Sequence, residues 1–85
     1  MTREDMLNEF RKILQPYTPD KLKLLLLNED TDLLRDLQIN SANLVDIIID
    51  AENAFNIEID NDSVERMTNV RTSLDVIAEK WRGKQ

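Results

Sequence analysis

The sequence predicts an all-α protein, a small four-helix bundle, and three observations support this prediction. Among 85 residues there are one glycine, Gly83, and two prolines, Pro16 and Pro19, so few positions favour tight hairpin turns. Apolar residues recur every three or four positions in several stretches, which is typical of helices that bury one face. A chain of this length buries a single modest core. Residues 1–85 are therefore predicted to form one domain.

The first predicted helix runs from Thr2 to Leu14. Thr2 belongs to the residue types that cap helix N-termini, and Glu4 and Asp5 in the first turn interact favourably with the helix dipole. Pro16 is expected to end the helix, because proline lacks an amide hydrogen and clashes with the preceding turn. The apolar side chains on one face are Met6, Phe10, Ile13 and Leu14.

Residues 16–40 are predicted to form a long, partly helical first loop. Thr18-Pro19-Asp20 is a favourable start for a short extra helix, since proline is tolerated in the first turn. Two apolar clusters are expected to anchor this loop to the bundle. They are a stripe of Leu22, Leu25 and Leu26 and a second cluster of Leu33, Leu34 and Leu37.

The remaining helices are predicted at Ser41 to Phe55, at Asp62 to Met67 and at Thr72 to Trp81. The inward stripe of the helix that begins at Ser41 is expected to contain Val45, Ile48, Ala51 or Glu52, and Phe55, widened by Leu44, Ile47 and Ala54. The last helix is expected to direct Leu74, Ile77, Ala78 and Trp81 inward. The predicted core therefore includes Val45, Ile48, Phe55, Ile59, Leu74 and Ile77.

The charge of the chain excludes some partners and favours others. The net charge is −6, and residues 36–65 contain eight acidic residues and no lysine or arginine. Nucleic-acid binding requires a basic patch, so no nucleic-acid partner is expected. An acidic surface instead attracts a basic protein partner. The longest apolar run, Leu24 to Leu27, is too short to span a bilayer, so no membrane partner is expected and the protein is predicted to be soluble.

The absence of histidine and cysteine limits the chemistry of the chain. A serine hydroxyl needs a neighbouring base to act as a nucleophile, and no serine–histidine pair can form here. We therefore predict that the protein is not an enzyme. The absence of cysteine also fits a reducing, cytoplasmic compartment. Asp60-Asn61-Asp62 and Glu65 lack the glycine and the ligand spacing of a calcium loop, so no metal site is predicted.

The most informative motif is Asp36-Leu37-Gln38-Ile39-Asn40-Ser41-Ala42. It resembles the Asp-Leu-Gly-x-Asp-Ser-Leu attachment site of acyl carrier proteins. The resemblance continues through Glu52-Asn53-Ala54-Phe55-Asn56-Ile57-Glu58-Ile59 and the Thr68-Asn69-Val70 segment, and it covers about residues 33 to 80. Three positions depart from the family pattern: Gln38 replaces glycine, Asn40 replaces aspartate and Ala42 replaces leucine.

The resemblance implies an acyl-carrier-type bundle with a 4′-phosphopantetheine arm attached to Ser41. Such an arm holds acyl intermediates as thioesters and presents them to enzymes of fatty-acid, polyketide or related biosynthesis. A helix start with unpaired amide groups accommodates the phosphate of the arm. The core is expected to open for a short acyl chain.

The resemblance also implies partners, namely a phosphopantetheinyl transferase and acyl-processing enzymes. Their basic patches are expected to meet Asp46, Asp50 and Glu52, and the carrier itself is expected to be a monomer. Two alternatives stay open: a carrier of aminoacyl or aryl groups, and an unmodified acidic adaptor with the same fold. For Ser41 itself, the alternative to an attachment site is a helix N-cap, a role that serine fills well.

Overall fold

The computed structural model describes residues 1–83 and contains five α-helices and two short 3₁₀ turns. The α-helices are α1 (Arg3–Leu14), α2 (Lys21–Leu25), α3 (Leu44–Phe55), α4 (Asn61–Arg66) and α5 (Val70–Gly83). The 3₁₀ turns are Gln15–Tyr17 and Ser41–Asn43, and the second is called the Ser41 turn below. Within residues 1–83 the only β-type pairing is an isolated antiparallel bridge between Asp32 and Asn69. The predicted all-α class is confirmed, with α2 as the extra helix of the first loop.

Side-chain caps explain where α1 begins and ends. The Thr2 hydroxyl accepts a hydrogen bond from the Asp5 amide at 3.1 Å, and the Thr2 amide donates to the Asp5 carboxylate at 3.3 Å. These reciprocal bonds satisfy amide groups that a helix leaves unpaired. At the other end, Pro16 lies in the 3₁₀ turn that follows α1, and the buried Thr18 hydroxyl donates to the Leu14 carbonyl at 2.8 Å. The predicted bounds of α1 are confirmed.

The core is one cluster of buried side chains drawn from the helices and from the first loop. Phe10 and Leu14 of α1 pack with side chains of α3 and α5, which bury Ile47, Ala51, Phe55, Val70, Leu74 and Ile77. Ile48 and Ile59 are only partly buried. Asn69 and Thr72 exchange side-chain hydrogen bonds with each other's amides at the start of α5. This pairing lets α5 begin at Val70, before the predicted Thr72.

The predicted leucine stripe of the first loop is wrong. Leu22, Leu25 and Leu26 are 62%, 71% and 67% exposed, whereas Leu24 and Leu27 are buried. The reason is the local geometry: α2 has five residues, and the Leu27 amide bonds to the Leu24 carbonyl in a tighter turn. This turn places the side chains of Leu24 and Leu27 on the same side, facing the core.

The second predicted cluster of the first loop is partly confirmed. Leu33 and Leu37 are buried, but Leu34 is exposed. The amides of Leu34 and Arg35 both donate to the Asp32 carboxylate, at 3.0 and 2.8 Å. This turn directs Leu34 outward while the flanking leucines stay in the core.

The predicted buried face of α3 is also wrong at some positions. Val45 is 62% exposed and Ala54 is exposed, while Ile47, Ala51 and Phe55 form the buried row at four-residue spacing. Because Leu44, Val45, Ile47, Ile48 and Ile49 are all apolar, hydrophobicity alone allows several rotations of this helix about its axis. The buried row follows from packing against α1 and α5.

The first loop is fastened to the start of α5 by backbone and side-chain contacts. The amides of Val70 and Arg71 donate to the carbonyls of Thr31 and Glu29, both at 2.9 Å. Arg3 donates two hydrogen bonds to the Glu29 carboxylate, at 2.9 and 3.2 Å. Arg71 reaches the same carboxylate at 3.7 Å. Glu29 therefore connects α1, the first loop and α5.

We predict that Phe55→Ala lowers the free energy of unfolding by about 3–5 kcal/mol, because it removes a buried aromatic side chain from the core. Val45→Ala removes an exposed side chain of the same helix and should change this free energy by no more than about 0.5 kcal/mol. Urea unfolding of both variants measures the contrast. Equal losses would show that the buried row of α3 is assigned to the wrong residues.

We also predict that Glu29 contributes to an acid-sensitive part of the stability. The hydrogen bonds from Arg3 hold the pKa of Glu29 below its usual value. Its stabilising contribution is therefore present above the unfolded-state pKa of glutamate, about 4.3, and is lost as the pH falls through the lower folded-state pKa. At neutral pH, Glu29→Gln should have a lower free energy of unfolding than wild type. When the pH is lowered to below about 4, this free energy should fall less in Glu29→Gln than in wild type. Urea unfolding at the two pH values measures the difference.

The matched control for this measurement is Glu58→Gln. The Glu58 side chain is exposed and forms no ion pair within the described part of the chain. Its replacement should leave the acid-induced loss of stability close to that of wild type. If Glu29→Gln and Glu58→Gln respond to acid in the same way, the ion pair with Arg3 has no role in stability.

Candidate functional site

Ser41 is positioned by alternating buried and exposed residues at the end of the first loop. Leu37 and Ile39 are buried in the core, whereas Gln38 and Asn40 point to solvent. Gln38 has a φ of 56°, in the left-handed region that favours glycine. This conformation explains why the attachment motif it resembles has glycine at this position. A side chain other than glycine in this region costs about 1–2 kcal/mol, which the two buried neighbours offset.

The Ser41 turn is capped by Asn40 and not by Ser41. The Asn40 side-chain oxygen accepts a hydrogen bond from the Ala42 amide at 2.9 Å, and its carbonyl accepts one from the Asn43 amide at 2.8 Å. Ser41 is exposed, and within residues 1–83 its hydroxyl forms no hydrogen bond. The N-cap alternative for Ser41 is therefore wrong. The helix start was expected to present unpaired amides, but the amides of Ala42 and Asn43 already bond to Asn40.

The three predicted partner-binding acids occupy different environments. Asp46 is exposed and has no side-chain partner within residues 1–83. Asp50, one turn further along α3, accepts a hydrogen bond from the Tyr17 hydroxyl at 2.8 Å. Glu52 accepts one from the Ile59 amide at 2.8 Å. The structure thus brings Asp46 and Asp50 together on one side of α3, while the Glu52 carboxylate holds the link between α3 and α4.

Tyr17 is a residue of this site that the sequence analysis missed. Its hydroxyl donates to Asp50, and this hydrogen bond, with burial and the nearby charges of Asp50 and Asp46, raises the pKa of Tyr17. The contact joins the 3₁₀ turn after α1 to the middle of α3. No sequence signal marks it, because the two residues are 33 positions apart.

Two exposed apolar side chains lie next to the acids on α3. Val45 and Ile49 are exposed and lie four residues apart. Asp46, which is exposed, and Asp50, which is partly buried, have the same spacing. Positions four apart are neighbours on a helix surface, so the two pairs form adjacent rows. We call these four residues the α3 face. It combines negative charge with aliphatic surface, whereas the sequence analysis assigned only the charge to it.

A shallow groove begins where the Ser41 turn becomes α3. Its volume is about 580 Å³, and Leu44, three residues after Ser41, forms part of its wall. Four apolar and four polar residues line it, and the apolar ones expose more surface; they are Asp32, Leu34, Arg35, Leu44, Val64, Glu65, Met67 and Thr68. An aliphatic chain attached near Ser41 has apolar surface available to it here.

The acidic residues around α4 serve a structural purpose. The Asp60 carboxylate accepts a hydrogen bond from the Ser63 amide at 3.0 Å and so caps α4. The hydrogen bonds from Ser63 and the charge of Lys80 hold the pKa of Asp60 below its usual value. In the described range no group of three or more acidic side chains is arranged to hold a metal ion. None of the helices described is long and apolar enough to cross a membrane.

Curated proteins similar to this chain share one name. A protein of Guillardia theta named "Acyl carrier protein" is 35% identical over 52 residues, which are 61% of this chain and 64% of that protein. One of Desulforapulum autotrophicum with the same name is 37% identical over 51 residues, 60% of this chain and 66% of its own length. No family model matches the chain.

A third relative with this name, from Rubrobacter xylanophilus, is similar over nearly the whole length. It is 30% identical over 81 residues, which cover 93% of this chain and 95% of the relative. Acyl carrier proteins are carriers and not enzymes, they generally hold a phosphopantetheine group, and they interact with acyl-processing enzymes. Because this relative matches nearly the whole chain, and because the helical bundle and the exposed Ser41 agree with the match, the chain belongs to the acyl carrier protein family.

Proposed function

We propose that this protein carries acyl groups on a 4′-phosphopantetheine arm attached covalently to Ser41. The observation that carries the proposal is the state of the Ser41 hydroxyl, which is exposed, free of hydrogen bonds within residues 1–83 and located at the first position of a helical turn. The arm, when attached, supplies the thiol on which an acyl group is held as a thioester. The chain has no cysteine that could supply one.

The residues around Ser41 fit a covalently attached group. Asn40 fixes the turn through its two hydrogen bonds, so the backbone is ordered before any modification takes place. Because Ser41 is not needed as a cap, its hydroxyl is available to a transferase without loss of a structural hydrogen bond. The small Ala42 side chain is also exposed and leaves the approach to Ser41 open.

The proposed partners are a phosphopantetheinyl transferase and acyl-processing enzymes of fatty-acid, polyketide or related biosynthesis. Their basic patches would meet Asp46 and Asp50, with Val45 and Ile49 in contact with apolar side chains of the partner. Glu52 contributes negative charge to the same region, although its carboxylate already binds the Ile59 amide. The acyl group can lie in the groove beside Leu44.

The proposal also includes the domain organisation, oligomeric state and compartment of the protein. Residues 1–85 form one carrier domain that acts as a monomer, in a reducing cytoplasmic compartment that fits a chain without cysteine. The acidic surface does not suit nucleic acid. A carrier of aminoacyl or aryl groups would use the same serine, and an unmodified adaptor would not use it.

We predict that Ser41 is the only modified residue. Incubation with coenzyme A and a broad-specificity transferase should add one phosphopantetheine to the wild type and none to Ser41→Ala, as measured by intact mass. Ser63 and Ser73 are buried, so Ser73→Ala is the matched control and should load like wild type. Wild type that folds but accepts no arm from any transferase would favour the adaptor function, and loading of Ser41→Ala would place the site elsewhere.

We predict that the charge of Asp46 steers the transferase. Asp46→Lys should lower the association rate several-fold, and the difference from wild type should shrink as salt is added, since exposed charges are screened. Glu58→Lys makes the same change in net charge away from the α3 face and should have a smaller effect. Kinetics of loading at low and high salt measure this. Equal effects of the two variants would assign the steering to net charge and not to the α3 face.

A further inference from the structure

The most unusual surface of the molecule lies on α2, in the first loop. Leu22, Leu25 and Leu26 are the three exposed leucines of this segment, and we call them the leucine patch. The buried Leu24 and Leu27 attach the same segment to the core. Because Leu24 and Leu27 are buried, the side chains of the leucine patch remain on the outer side of this segment. Contiguous exposed apolar side chains of this kind mark contact sites on proteins.

The charge around the leucine patch is opposite to that of the rest of the protein. Residues 10–28 contain four basic residues and one acidic residue, in a chain with a net charge of −6. A shallow concavity beside Leu25 is lined by Arg11, Lys12 and Lys21, which shows that bases of α1 and α2 meet at the patch. The acidic residue, Asp20, is used as the N-cap of α2.

Most of these basic groups are not neutralised by a carboxylate. The Lys21 ammonium donates to the carbonyls of Gln15 and Thr18, at 2.7 and 3.0 Å. Arg11 likewise donates only to neutral oxygens, and Lys23 has no side-chain partner within residues 1–83. Lys12 is the exception, since it pairs with Glu9 at 3.2 Å. The patch thus combines protruding leucines with a local excess of positive charge, although Asp36 lines a shallow groove together with Lys23 and Leu26.

We propose that the leucine patch and its bases dock on an anionic lipid surface. Binding to such a surface takes two signals, apolar side chains that enter the interface and basic side chains that meet the headgroups. Both are present here within one short segment. The contact is peripheral and differs from a membrane span. The prediction of no membrane partner rests on the length needed to span a bilayer, which does not bear on a peripheral contact.

Charge complementarity also separates this surface from the partners of Ser41. Those enzymes are proposed to carry basic patches that suit Asp46 and Asp50. The same patches would be repelled by Lys21, Lys23 and Arg11. The leucine patch is therefore a second surface, and its occupant is anionic. This inference goes beyond the proposed carrier function and does not depend on modification of Ser41.

The test is co-sedimentation of the whole protein with lipid vesicles at low salt. Wild type should bind vesicles made of equal parts of phosphatidylcholine and phosphatidylglycerol, and bind vesicles of phosphatidylcholine alone much more weakly. Replacement of Leu22, Leu25 and Leu26 together by serine should lower the partition coefficient at least about tenfold. Lys23→Gln should lower it about fivefold. Leu22, Leu25 and Leu26 are exposed, and Lys23 has no hydrogen-bond or ion-pair partner within residues 1–83, so circular dichroism should show folded helices in both variants.

The matched control is Val45→Ser with Ile49→Ser, which removes exposed aliphatic side chains from acidic surroundings and should leave vesicle binding unchanged. Failure of wild type to bind the anionic vesicles would overturn the proposal, and so would equal binding by the triple serine variant. Binding to polyglutamate but not to the vesicles would identify an acidic polypeptide as the occupant instead. A lower molecular mass of the triple variant without lipid would identify a second copy of the chain.

Discussion

The ordering of the first loop depends on its attachment to the start of α5. Between α2 and the Ser41 turn the chain has no regular helix, so its backbone groups need partners elsewhere. The amides of Leu33, Val70 and Arg71 supply them by pairing residues 29–33 with residues 68–71. The Glu29 carboxylate joins the same place to Arg3. With this end of the loop held, Leu33 and Leu37 can enter the core, and the chain that follows delivers Ser41 to the surface.

The residues just before Ser41 depart from the family pattern, and their conformation shows what these departures do locally. The left-handed backbone at Gln38 favours glycine, yet the chain keeps this conformation because Leu37 and Ile39 are buried on either side. Asn40 differs from the aspartate of the family pattern by one charge, but its side-chain oxygen still accepts the Ala42 amide. Asn40 therefore lacks the charge of the family's aspartate but has a side-chain oxygen that caps the Ser41 turn.

Much of the fold could be predicted from the sequence where local chemistry decides the outcome. The cap at Thr2 and the stop near Pro16 are consequences of a few neighbouring atoms, whereas the helix predicted from Ser41 begins at Leu44, after the Ser41 turn. The rotation of α2 and α3 could not be predicted, because runs such as Leu24 to Leu27 and Ile47 to Ile49 are apolar on every side. Packing of α3 against α1 and α5 exposes Val45, and the tight turn from Leu24 to Leu27 exposes Leu25. The contact between Tyr17 and Asp50 was missed for a similar reason, since it joins distant segments.

The exposed aliphatic residues have a physical consequence for how the carrier meets its partners. Isolated surface ion pairs contribute little, about 0–1 kcal/mol each, and the Asp50 carboxylate already accepts a hydrogen bond from the Tyr17 hydroxyl. In the proposed function, the acids on α3 therefore orient and attract a basic partner but hold it weakly. Val45 and Ile49 supply apolar area that is removed from water only when a partner covers it. Weak attraction by charge combined with a small apolar contact suits a carrier that must bind several enzymes in turn and leave each of them quickly.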